Sequence, residues 1–272
     1  MFSYTNGMRL EHLISAVNAE PENLIAKMNL ATDAVLINQC GKNSEETISR
    51  SLGGEDSFSV RVFSFDEKGV GLSRNRAIEK ASGDIVLFTD DDIVYEEGYV
   101  EKVLKEFENH PEADGLFFNV NVCEERRTYF NNDFKQVHVW NGGRYPAYSI
   151  ALRRESLIKS KVRFSLLFGG GAKYSCGEDS LFIRDLLKAG LKLYRTPVVI
   201  ASEEPRPSTW FNGYDEKYFF DRGVLYHFLY AALAPVMGFR FVYTKKAVMC
   251  KEIPAKRAFA LLKNGINEGK KL

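Results

Sequence analysis

The stretch that most limits what this chain can fold into is Ile85-Val86-Leu87-Phe88-Thr89-Asp90-Asp91-Asp92, an apolar run that ends in three consecutive acids. The run has the length and the branched and aromatic residues of a buried strand. Three carboxylates at its carboxyl end repel one another, so something should offset their charge. In an open α/β sheet that end is also where ligands bind. A divalent cation holding a phosphorylated ligand meets both conditions, because Mg²⁺-like ions prefer one or two carboxylates plus phosphate oxygens. A solvated acidic turn is the competing reading. It would lead into the next helix, with Glu96 and Glu97 as the acids that favour its N-terminus.

The flanking segments supply the rest of the fold. Strands are expected at His12–Val17, Ala34–Ile37, Phe58–Phe65, Ile85–Thr89 and Leu116–Val122, and helices at Glu22–Leu30, Leu72–Ala81 and Gly98–Glu108. The last of these carries Val100, Val103, Leu104 and Phe107 at the spacing of one helical face. Alternation of this kind predicts an α/β fold, a mainly parallel sheet with helices on its faces. Asn38-Gln39, the loop before Leu72 and Asp90–Asp92 then gather along one sheet edge. That is the geometry of a nucleotide pocket.

The second half is less regular. Short elements are expected at Ser149–Leu152 and Glu155–Lys159. The glycine loop Phe168-Gly169-Gly170-Gly171-Ala172 follows, then a helix opened by Glu178-Asp179. Two strands, Leu191–Tyr194 and Val198–Ala201, are expected on either side of Thr196-Pro197.

Charge separates the chain's end from its body. Lys+Arg and Asp+Glu total 37 and 36 over the whole chain, which does not suggest a nucleic-acid binder. From residue 205 onward there are 12 basic and 5 acidic residues, a net of +7, leaving −6 for the remainder. We therefore divide the chain into 1–204, carrying the nucleotide and acceptor sites, and a helical basic extension, 205–272. Val224–Tyr243 is strongly apolar, but its uninterrupted part, Phe228–Phe239, is shorter than the ~20 residues that span a bilayer. It reads either as a buried helix broken at Pro235 or as an interfacial segment. Lys245, Lys246, Lys251, Lys256, Arg257 and Lys263, mixed with Val248, Met249, Phe259, Leu261 and Leu262, form a pattern suited to an anionic leaflet.

Cys40, Cys123, Cys176 and Cys250 form no CxxC pair, which points to reduced thiols in a cytoplasmic setting. No secretory signal is visible in Met1–Leu10.

Three further motifs carry candidate chemistry. Gly69-Val70-Gly71 precedes a helix whose amides, with Arg74 and Arg76, could face an anion; an ordinary loop and cap is the plainer reading. Glu178-Asp179 either complements a helix dipole or places a carboxylate to take a proton from a hydroxyl. Trp210, near Arg206, Ser208 and Thr209, could stack on a sugar or plug a core. Arg222 could meet a diphosphate or form a surface ion pair.

In order and spacing, Arg74-Asn75-Arg76-Ala77-Ile78, Ala81-Ser82-Gly83 leading into Asp90-Asp91-Asp92, Arg153-Arg154-Glu155-Ser156-Leu157, Glu178-Asp179, and Gly190 followed by Pro197 resemble the family 2 inverting glycosyltransferases of the GT-A fold. The resemblance spans roughly residues 10 to 205. It implies that Asp90 and Asp92, or Asp90 and Asp91, hold Mn²⁺ or Mg²⁺ on the diphosphate of a nucleotide sugar. It implies Asp179 as general base, beside Glu178. It puts Arg74 and Asn75 next to the donor, and Asn38-Gln39 where relatives carry an acid pair that contacts the base. That is a departure from the family pattern; an amide can still donate to and accept from a uracil edge, and the expected donor is a UDP-sugar. The expected partner is a glycan or lipid-linked acceptor in surface polysaccharide synthesis, with the C-terminal extension touching the membrane's inner face. The third metal ligand stays open among Ser202-Glu203-Glu204 and His227. Two rivals are a sugar-1-phosphate nucleotidyltransferase, whose Gly-rich loop with Arg and Lys is missing near the first strand, and a non-catalytic sugar- or partner-binding module.

Overall fold

The computed structural model describes residues 7–54, 56–204 and 213–272. These fall into two compact units. A sheet unit comprises 7–68, 72–164 and 182–204, and a helical unit comprises 69–71, 165–181 and 213–272. The glycine loop and Glu178-Asp179 thus group with the C-terminal helices.

In chain order the sheet unit begins β1 (Leu10–Val17), α1 (Pro21–Lys27), β2 (Ala34–Gln39), β3 (Ser44–Gly53), β4 (Asp56–Phe65) and α2 (Val70–Lys80). It continues β5 (Ile85–Asp90), β6 (Ile93–Tyr95), α3 (Tyr99–Asn109), β7 (Gly115–Asn121) and β8 (Lys135–Gln136). It closes with β9 (Ile150–Arg153), α4 (Arg154–Ser160), the part of α5 (Glu178–Lys188) from Phe182 onward, and β10 (Leu193–Glu203). Among the described residues ten strands form one sheet, ordered β3-β4-β2-β1-β5-β9-β7-β10-β6, with β8 on β10.

β5 shows how the apolar run makes a two-sided core. Its side chains alternate across the sheet. Ile85 and Leu87 pack with Leu24 and Ile25 of α1 and Val103, Leu104 and Phe107 of α3. Val86 and Phe88 pack on the other face with Ala77 and Ile78 of α2 and Phe182, Ile183 and Leu186 of α5. Each large side chain buried this way contributes roughly 1.5–3 kcal/mol.

One charge is buried where the sheet starts. Glu11 accepts the amides of Ser82 and Gly83 at 2.6 and 2.8 Å and pairs with Arg61 at 2.8 Å. Gly83 is required there, because a Cβ would lie 2.6 Å from that of Glu11.

Three expectations are corrected. The sheet is mixed: β4-β2-β1-β5 run parallel, as do β7 and β10, but β9 pairs antiparallel with both β5 and β7. β3, absent from the sequence reading, adds an antiparallel edge on β4. The two strands expected around Thr196-Pro197 are one, β10, whose register shifts between Arg195 and Val199. Proline cannot donate to a ladder, and the irregularity takes up the missing bond.

The helical unit contains α6 (Glu216–Tyr230), α7 (Ala234–Met249) and α8 (Ala255–Gly269). Asp215 caps α6 by accepting the Tyr218 amide at 2.7 Å. α6 and α8 cross at backbone contact: a Cβ on Gly223 would lie 2.0 Å from the Leu262 carbonyl oxygen, and one on Gly265 2.0 Å from that of Phe220. The apolar run breaks at Ala231 (φ 48°), one turn before Pro235. Pro235 instead sits in the first turn of α7, where its missing N–H is no loss.

Candidate active site

The sheet unit gathers the first set of candidate residues at the carboxyl ends of its parallel strands. Register pairs Ser15 of β1 with Asp90 of β5, and Val17 with Gln39 of β2. Arg74, one turn into α2, is buried and donates from Nη2 to Asp90 Oδ1 at 2.9 Å, its guanidinium 5.2 Å from the Phe164 ring centre. A charge-assisted bond from a buried arginine fixes the carboxylate's direction. Glu204 donates its amide to the Asp92 carbonyl at 2.8 Å, which ties the acidic turn to the end of β10.

Two predicted donor-site residues turn out to hold the scaffold. The Asn38 amide is engaged by Ala19 at both ends: Oδ1 accepts the Ala19 N–H at 3.0 Å and Nδ2 donates to the Ala19 carbonyl at 2.9 Å. Asn75 does the same with Phe164, at 2.8 and 2.9 Å. Asn38 thereby sets the turn after β1, and Asn75 sets the ring on which Arg74 rests. Gln39 is buried at the end of β2.

Sequence reasoning missed the layer beneath the acids. His12 is fully buried, with Nδ1 2.9 Å from Thr89 Oγ1 and Nε2 2.8 Å from the Tyr99 hydroxyl. Tyr99 already accepts the Ala31 amide at 3.1 Å, so its own proton points to Nε2 and His12 carries its proton on Nδ1. Thr89 Oγ1 also meets the Tyr95 hydroxyl at 2.7 Å. Thr89 and Tyr95 stand on the two limbs of the Asp90–Asp92 turn, so this bond clips the turn at its base. Burial holds the His12 pKa down from 6.5 to about 3, so the ring is neutral. A histidine inside an apolar strand was the signal in the sequence. Tyr148, also missed, has its phenol pKa raised chiefly by burial, then by Tyr129 and the carboxylates of Glu203, Asp90 and Asp92. Glu203 pairs with Arg126 at 2.5 Å.

The donor set suits a hard cation. Asp90 keeps Oδ2 beyond its bond to Arg74, and Asp91 and Asp92 add carboxylates on the same turn. Among the described residues no three His, Cys, Asp or Glu side chains converge as a closed cage. Mg²⁺-type sites that also take phosphate oxygens need only one or two carboxylates, so these residues fit.

The helical unit carries the second set. Gly169 has φ +105°, and a Cβ there would fall 2.7 Å from Glu178 Cδ and 2.8 Å from Val70 Cγ1. Gly177 has φ +116° and faces Leu225. The loop is stitched by Gly169 N–H to the Tyr174 carbonyl at 2.9 Å, Val70 N–H to the Gly170 carbonyl at 2.9 Å, and Ser175 N–H to Asp221 at 2.9 Å. Glu178 Oε2 accepts the Gly177 amide at 3.1 Å. Glu178 and Asp179 open α5, where their negative charge complements the helix N-terminus. Arg222 lies between the rings of Tyr218 and Phe241 and donates to the Tyr218 hydroxyl at 3.2 Å. His227 packs against Gly269. Arg206, Ser208, Thr209 and Trp210 lie outside the described residues.

A mixed sheet between two helical layers, with acids where a parallel strand ends and an acid pair opening a later helix, defines a GT-A-type glycosyltransferase. The chain belongs to glycosyl transferase family 2, whose family model matches residues 21–189. Among solved structures, S. aureus TarS (residues 1–349) in complex with UDP-GlcNAc is similar, with TM-score 0.60 and 14% identity over 90% of this chain and 74% of that one. The mannosyltransferase PcManGT from Pyrobaculum calidifontis, in complex with GDP-Man and Mn²⁺, gives TM-score 0.50 and 13% identity over 97% and 75%. These likenesses are of fold. No curated protein sequence matches the chain.

Proposed function

We propose that this glycosyltransferase is metal-dependent and inverting, and that it transfers a sugar from a UDP-sugar to a hydroxyl of a glycan or lipid-linked acceptor. The observation that carries the reading is the acidic turn at the end of β5, with buried Arg74 fixing Asp90. Asp90, with Asp91 or Asp92, would hold Mn²⁺ or Mg²⁺ against the donor diphosphate. Such an ion neutralises charge that develops on the leaving group. Gln39, buried at the end of β2, is the second amide at the base position, beside Asn38, whose amide holds Ala19. The UDP complexes of TarS support uracil as that base.

Asp179 acts as general base. It takes the acceptor hydroxyl's proton as that oxygen attacks the anomeric carbon from the face opposite the diphosphate. The new glycosidic bond forms as the bond to the diphosphate oxygen breaks, and nucleoside diphosphate leaves. Glu178 closes the glycine loop onto the start of α5. We assign the enzyme to surface polysaccharide synthesis in the cytoplasm, at the inner face of the cell membrane. The basic apolar C-terminal region supports that placement.

Calorimetry with UDP, GDP, CDP and dTDP, with and without Mn²⁺, tests the reading. Tight binding of UDP only with Mn²⁺, lost in a folded Asp90→Asn/Asp92→Asn variant, is expected. No binding of any diphosphate would overturn it in favour of a binding module of the same fold.

A further inference from the structure

α7 presents an outer face that the described residues of its unit leave largely exposed. Ala234, Gly238, Val242 and Met249 point inward, and a Cβ on Gly238 would lie 2.3 Å from Leu262 of α8. The opposite face carries Val236 (64% exposed), Phe239 (51%) and Tyr243, preceded by Leu233 (64%) and followed by Val248. Spacings of three and four residues keep Val236, Phe239 and Tyr243 together. Phe239 and Tyr243 stack, with ring centres 4.4 Å apart.

The charges beside this face have one sign. Between Tyr230 and Glu252 the chain has Arg240, Lys245, Lys246 and Lys251 and no acid. Large exposed apolar groups rimmed by cations match the chemistry of an anionic lipid surface, where rings enter the headgroup layer and bases meet phosphates. A symmetric pairing of two copies through this face would instead set Arg240, Lys245 and Lys246 against their own kind.

The run Glu216–Met249 is long and apolar enough by composition to cross a membrane. Two features favour lying on it. The chain turns at Ala231, so the run is two helices. α7 itself has 16 residues with Arg240 at its middle, short of the ~20 needed to span.

We infer that α7 is an in-plane anchor that docks this enzyme on an anionic bilayer. The anchor involves no residue of the proposed donor or acceptor chemistry, so its test is independent of the catalytic reading.

The test is co-sedimentation of the full chain with phosphatidylcholine vesicles and with vesicles containing phosphatidylglycerol. Binding to the anionic vesicles only, reversed by high salt or alkaline carbonate, is expected. Val236→Ser/Phe239→Ser and, separately, Lys245→Glu/Lys246→Glu should each weaken it by more than about tenfold. Both variants should remain folded with cooperative melting, since Val236, Phe239, Lys245 and Lys246 are exposed. Absence of vesicle binding by the natural chain overturns the proposal. So does resistance to carbonate, which would mean a spanning segment, or a dimer in solution that Val236→Ser/Phe239→Ser dissociates while lipid binding persists.

Discussion

The sheet unit and the helical unit reach defined structures by opposite means. In the sheet unit, key buried polar groups have specific partners: Glu11 two amides and an arginine, His12 Thr89 and Tyr99, Asn38 Ala19, Asn75 Phe164. In the helical unit, backbones meet at Gly223 and Gly265, and shape does the work of polar pairing. Hydrogen bonds fix direction, which the proposed metal-binding turn needs. Close helix packing fixes separation and leaves an outer face available for other contacts.

The sharpest division concerns chemistry. If the sheet unit binds the donor and the helical unit supplies the base, Asp179→Asn should lower kcat by about 10³-fold while UDP–Mn²⁺ affinity, read by calorimetry, stays within a factor of about two. A parallel loss of affinity would erase the division.

Next in size is the packing contrast. Gly265→Val forces side-chain atoms onto the Phe220 carbonyl and should destabilise the helical unit by about 3 kcal/mol, read as an early transition in thermal melting. A single unshifted transition would show that the α6–α8 contact can relax.

The buried histidine gives a pH signature belonging to the sheet unit. Its folded pKa lies below its unfolded value of 6.5, so only the unfolded chain takes up the proton as pH falls below 6.5. Stability from this group is complete above 6.5 and is lost by about 1.4 kcal/mol per pH unit down to its folded value near 3. Melting between pH 7.5 and 5 should show a loss of about 2 kcal/mol that His12→Gln removes. An identical slope in the variant would assign the loss to other groups.

The smallest effect expected is at the clip under the acids. Thr89→Val keeps shape but breaks the bonds to His12 and Tyr95. It should raise the Mn²⁺ concentration for half-maximal activity several-fold, by about 1 kcal/mol, with kcat at saturating metal little changed. Unchanged metal dependence would make the network structural only.

What could be read from the sequence follows the range of the interactions. β5 and α3 were legible because their apolar periods are local. Phe58, Val60, Val62 and Ser64 of β4 point to one buried face, as their alternation predicts. β3 was not legible: Ser44–Gly53 is an edge strand with mostly exposed polar residues, so it has no apolar period to detect. β10 looked like two strands because Pro197 reads as a stop. In the fold, Asn119 donates to the Pro197 carbonyl at 3.1 Å, and the strand bulges past it. At the site, residue types were visible but partners were not. Asn38 as a base reader and Asn38 as the holder of Ala19 are identical in sequence, and the two differ by contacts set elsewhere in the chain.

The antiparallel strand β9 also has a consequence in time. It is four residues long, and it alone borders both β5 and β7. On an emerging chain, the block β4-β2-β1-β5 has all its strands once Asp90 is made. β7 then waits for β9, and its other neighbour, β10, ends only at Glu203. Chain order therefore lets the first block pair before the strands of the seam exist, with the acids at the end of β5 already made.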